Sequence, residues 1–123
     1  MKVQVWRHHR EDNGGLLIAA YEARGATVAS ELVGPFGPPS DEACDVLIVL
    51  GSSESVYDES VKEKWLNREM TRMAELIDAG TRVFGVCFGA QMLTVHFGGV
   101  VTSSGAEELG FSDTVSYTHL TLP

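Results

Sequence analysis

The chain has 123 residues, 44% hydrophobic and 21% charged, which is room for one α/β domain or part of one and not for two. Nine basic against 17 acidic residues give a formal charge of -8, a field that repels a phosphate backbone and sets nucleic acid aside as a partner. No apolar run approaches the roughly 20 residues that a membrane helix needs, so no membrane span is expected.

Met1 to Val5 reads as the start of a strand rather than a signal peptide. Lys2 to Trp6 alternates and is rich in valine, the pattern of a buried first strand, and Glu11-Asp12-Asn13-Gly14-Gly15 breaks it. From Leu16 to Arg24, Leu16, Leu17, Ala20 and Ala23 recur at helical spacing, and Gly25 supplies a left-handed stop. Ala26 to Val33 is expected as a second strand. The prolines and glycines of Gly34-Pro35-Phe36-Gly37-Pro38-Pro39 then form a loop within the domain. Asp45 to Leu50 is an apolar run ending at Gly51, the signature of a central parallel strand covered on both faces.

Ser60-Val61-Lys62-Glu63 has capping-box spacing, and Leu66, Met70, Met73 and Ile77 make one helical stripe that Gly80 ends. Arg82 to Val86 is expected as another short buried strand, and Phe88 to Phe97 as a helix closed by Gly98-Gly99. Strands alternating with helices predict a three-layer, doubly wound, mostly parallel α/β sheet. No internal repeat is present.

Most other polar residues have plain structural readings. Cys44 and Cys87 lie far apart without CxxC spacing, which fits free thiols in a reducing compartment, taken as the cytoplasm. Cys44, at the edge of the central strand, is assigned to structure. His8 and His9 with Glu11 and Asp12 suggest a metal, but adjacent histidines on an extended segment point to opposite faces, so these four are expected as solvated loop. Glu54, Asp58 and Glu59 are read as solvated loop and helix start, Met70 and Met73 as core, Trp6 and Trp65 as packing residues. No metal or nucleotide motif is present, so no cofactor is expected.

Gly85-Val86-Cys87-Phe88-Gly89 is different. It places a nucleophile between two glycines at a strand-to-helix junction, the nucleophile-elbow pattern with Cys in place of Ser. So tight a turn leaves no space for side chains two positions either side, hence Gly85 and Gly89. A thiol at a helix N-terminus meets unpaired N–H groups and the positive end of the macrodipole, both of which favour thiolate.

Gly85-Val86-Cys87-Phe88-Gly89-Ala90-Gln91 resembles the G-x-C-x-G-x-Q elbow of class I (triad-type) glutamine amidotransferases, notably stand-alone members that look like the glutaminase half of GMP synthase. Val46 to Leu50 with Gly51-Ser52-Ser53 is similar to that family's apolar strand and oxyanion loop, and Glu108-Leu109-Gly110-Phe111 to its segment after the elbow helix. The resemblance implies a flavodoxin-like fold and a Cys87 attack on the side-chain amide of L-glutamine, giving a γ-glutamyl thioester and ammonia. It also implies an oxyanion hole from the backbone N–H of Phe88 and of Gly51 or Ser52, and a role for Gln91 in holding glutamine. Ammonia then requires an acceptor enzyme or synthetase as partner.

The chain departs from the family in two places. Gly51-Ser52 stands where the family has Gly-Gly. No H-x-E pair follows Cys87: His96 is too close along the helix to fold back, and His119 precedes Leu120-Thr121. Val115 to Pro123 resembles the read-through translation of a sequencing adaptor, so the domain portion is expected over 1–114, with a non-native tail over 115–123. The fold is then expected to be incomplete at its C-terminal end, and the polypeptide by itself unstable and inactive. A γ-glutamyl hydrolase-like peptidase and a non-catalytic superfamily member are the alternatives.

Overall fold

A computed structural model describes residues 1–102. The expected family segment Glu108 to Phe111, His119 and the 115–123 tail lie outside the described residues. The order is β1 (Lys2–Arg7), α1 (Gly15–Ala23), β2 (Thr27–Leu32), a 3-10 turn (Gly34–Phe36), β3 (Val46–Val49), α2 (Glu59–Val61), a π segment (Lys62–Leu66), α3 (Asn67–Asp78), β4 (Arg82–Gly85) and α4 (Phe88–His96).

The four strands pair in the order β2-β1-β3-β4, every neighbouring pair parallel. That order is the doubly wound, flavodoxin-like arrangement, in which sites form at the carboxyl ends of the strands near the β1/β3 reversal. The period of two along β1 sorts its side chains between two cores. Val3 and Val5 join Ile18, Val46, Ile48 and Leu50 on the face packed by α1. Trp6 joins Leu47, Val49, Trp65, Leu66, Met73, Phe88 and Met92 on the other face, under the π segment, α3 and α4. The result is three layers, as the alternation of elements predicts. Trp6 and Trp65 are both buried packing residues, as expected.

Several local expectations need correction. The long helix is capped by Asp58, whose Oδ1 accepts from the Ser60 N–H at 3.0 Å and from its hydroxyl at 2.8 Å, so Ser60 sits inside the first turn instead of starting a capping box. Its stripe is buried at Leu66 and Met73, but Met70 and Ile77 are only half-buried, and the residues just before each of them, Glu69 and Leu76, are the covered ones. A π turn, with more residues per turn than an α turn, precedes this face, so one α-helical period does not describe both halves. On α1 the buried residue is Ile18, flanked by Leu17 and Tyr21, while Leu16 is 89% exposed. Finally, β4 is an edge of the described sheet: its side chains are exposed or half-buried, and Phe84 lies on the α1 face beyond that helix's reach.

Candidate functional site

Three loops meet at the carboxyl end of the sheet: the one leaving β1, the one leaving β3, and the turn from β4 into α4. Cys87 is the N-terminal capping residue of α4 with φ 51° and ψ -107°, and among the described residues it alone has positive φ without being glycine. An L residue is strained there by about 1–3 kcal/mol, which persists only where the surroundings over-determine it. They do. The Val86 N–H donates to the Val49 carbonyl at 2.9 Å and so docks the turn on β3, the Gly89 N–H donates to Val86 O at 2.9 Å, and the Gln91 N–H donates to Cys87 O at 3.1 Å.

The two glycines are required by contact as well as by turn geometry. A β-carbon at Gly85 would lie 2.5 Å from the Gly89 carbonyl carbon and 2.6 Å from the Ala90 nitrogen, and one at Gly89 would overlap the Val49 carbonyl. With both small, the helix start closes against β3 and Cys87 is left exposed. Gly51 comes to it: a β-carbon there would stand 3.6 Å from the Cys87 β-carbon. Ser52 lies next in that loop, with its hydroxyl accepting from the Glu54 N–H at 3.1 Å. Gln91, one turn into α4, is half-buried, and its Oε1 is buried without a hydrogen-bond partner among the described residues.

Phe88 turns inward and is 1% exposed. Its ring meets His8 edge-on at 5.3 Å between centroids and Trp65 at 5.6 Å. His8 is therefore no part of a solvated loop, contrary to the expectation from sequence. The pleat of β1 carries on past Arg7, so His8 follows Gln4 and Trp6 onto the face under α3, while His9 is exposed. There His8 Nε2 lies 2.9 Å from Glu69 Oε2, with both side chains fully buried. Sequence reasoning missed this pair. The available signal was the even spacing of Gln4, Trp6 and His8, hidden by the polar residues that follow.

The other titratable candidates stay apart from the elbow. Burial pushes the Cys44 thiol above its ordinary range, more than its hydrogen bond with Thr81 draws it down. His96 ends α4, about 13 Å along the helix axis from its start. Among the described residues no three of His, Cys, Asp and Glu gather as a metal site, and no helix is long and apolar enough to cross a membrane. A cleft of about 400 Å³ between the 3-10 turn and the π segment, lined by Phe36, Lys64, Trp65 and Arg68, touches the elbow only through the Trp65 ring that packs on Phe88.

No protein-family model matches the chain. A glutamine-hydrolyzing GMP synthase of Corynebacterium glutamicum is 31% identical over 100 residues, covering 78% of this chain and 17% of that protein. One from Streptomyces coelicolor is 34% identical over 97 residues, covering 76% and 17%. The chain thus spans about a sixth of the length of these relatives. Among solved structures, a glutamine amidotransferase from Thermotoga maritima superimposes with a TM-score of 0.69 at 21% identity, over 80% of this chain and 43% of that one, a likeness of fold.

Proposed function

Because this chain carries a class I glutamine amidotransferase-like domain, we propose that it binds L-glutamine and that Cys87 is the nucleophile that opens its side-chain amide. The thiolate Sγ attacks the amide carbon, and the electron pair moves to the carbonyl oxygen. The Phe88 N–H and one from Gly51 or Ser52 receive that oxyanion. Collapse expels the amide nitrogen, which leaves as ammonia after taking up a proton. The γ-glutamyl thioester left on Cys87 is hydrolysed by water to glutamate. Gln91 Oε1 offers an acceptor to the substrate one helical turn away.

The observation that carries this reading is the Cys87 backbone. An exposed thiol is held at positive φ, at a helix N-terminus, beside Gly51 and the carboxyl end of the central strand. The proton-transfer pair is a separate matter. No H-x-E follows Cys87 in the 123 residues, so in this proposal the polypeptide by itself lacks the general base and its orienting carboxylate and does not turn over glutamine. Ammonia goes to an acceptor enzyme or synthetase, and the free thiols suit a reducing cytoplasm.

A chloroketone analogue of glutamine tests the reading without needing turnover. Intact-mass measurement should show one adduct, mapped to Cys87, lost in Cys87→Ser and suppressed by L-glutamine. An adduct absent from Cys87 would contradict the proposal. Suppression by γ-glutamyl peptides but not by glutamine would assign the site to γ-glutamyl hydrolysis instead.

A further inference from the structure

We propose that the buried His8–Glu69 pair is a positioning device for the elbow, setting the orientation of Phe88 and through it of Cys87. The inference rests on the reading of Cys87 as nucleophile, but it concerns residues to which that reading gives no role.

The pair joins the parts of the site that the chain supplies separately. His8 follows β1, Glu69 lies on α3, Trp65 on the π segment, and Phe88 opens α4. The His8, Trp65 and Phe88 rings close a triangle with centroid separations of 5.3, 5.3 and 5.6 Å. Of the three, the His8 ring is the one tied by a directional bond among the described residues. His8 Nε2 lies 2.9 Å from Glu69 Oε2, and this hydrogen bond fixes the plane of the imidazole. The edge contact then fixes the Phe88 ring, whose backbone N–H is the proposed oxyanion donor and whose neighbour is the thiol.

The surroundings hold the pair tightly. The 3-10 turn lies over it, with Gly34 at φ 67°, where a β-carbon would come within 3.0 Å of His8 Cδ2 and 3.4 Å of both Glu69 Oε1 and Trp65. Arg68 Nη2 donates to the Gly34 carbonyl at 3.0 Å and keeps that turn in place. Stability does not account for the arrangement. Burying an imidazole and a carboxylate costs more than burying apolar residues of the same volume, and here His8 Nδ1 and Glu69 Oε1 are left without hydrogen-bond partners among the described residues. What the polar pair offers over an apolar one is direction.

The test uses the full chain and iodoacetamide, with the rates at Cys87 and Cys44 read separately by peptide mass mapping. His8→Ala should slow Cys87 about fivefold, as expected for a thiol moved off the helix end, and leave Cys44 within about twofold. Glu69→Gln, which keeps an acceptor oxygen for His8, should leave both rates near those of the parent. An unchanged Cys87 rate in a folded His8→Ala protein overturns the proposal. So does a parallel change at both cysteines, which reports general loosening. If His8→Ala does not melt cooperatively, Glu69→Leu, which keeps the bulk and removes the acceptor, is judged by the same criteria. Failure of Glu69→Leu to fold as well makes the pair a core element and also overturns the proposal. Glutamine is absent from these assays, so their outcome is separable from that of the chloroketone experiment.

Discussion

At φ 51° the Cys87 β-carbon crowds its own backbone, and glycine would not. Cys87→Gly should therefore stabilise the fold by about 1 kcal/mol, the relief of strain exceeding the extra flexibility given to the unfolded chain, while removing the thiol. Gly89→Ala should act in the opposite sense, costing about 1–3 kcal/mol or more, because its methyl would run into the Val49 carbonyl and β-carbon. Thermal melts of the two variants check both signs, and a destabilised Cys87→Gly would show the turn to be unstrained. Both glycines were legible in the sequence, since the spacing of a tight strand-to-helix turn demands them. His8 was not. Its alternation with Trp6 continues for one residue beyond the strand, and its partner Glu69 lies 61 positions away on an otherwise solvated-looking helix.

Element ends and faces follow from the same competition between local signals and packing. Capping-box spacing put the start of α2 at Ser60, but the Asp58 carboxylate is the cap, because it receives both the N–H and the hydroxyl of Ser60. The Ser60 hydroxyl, followed by its N–H, holds the Asp58 carboxyl below its usual range. The folded value being the lower one, the cap's contribution is complete above the ordinary carboxylate value and is lost as pH falls through the folded one. Asp58→Ala should consequently lower the melting temperature at neutral pH, with the gap from the parent closing in strong acid. A gap that persists there would place the effect elsewhere. On α1 the helical spacing picked out Leu16, Leu17, Ala20 and Ala23, of which Leu16, Ala20 and Ala23 are exposed, because five consecutive apolar residues, Leu16 to Ala20, fit other stripes as well. Packing in one core cluster with Val3, Val5 and Ile48 selects Ile18.

The parallel sheet and its helices were legible from the alternation of elements, but the strand order β2-β1-β3-β4 was not written in any local pattern. Which strand lies at an edge depends on where each crossover lands. Arg82 to Val86 looks like a buried strand, and only its placement leaves Phe84 48% exposed. The order matters for function, because it brings the ends of β1, β3 and β4 together and so places His8, Gly51 and Cys87 around one turn. It also separates the two thiols. Cys87 is exposed at the carboxyl end, whereas Cys44 precedes β3 at the opposite end, partly buried and raised above its ordinary range. The central claim, that glutamine engages Cys87, is tested most directly by the alkylation rates of both cysteines at neutral pH as L-glutamine is added. The account predicts that Cys87 reacts faster, that glutamine protects it in a saturable way, and that Cys44 does not respond. Equal rates at the two thiols, or a Cys87 rate indifferent to glutamine, would contradict it.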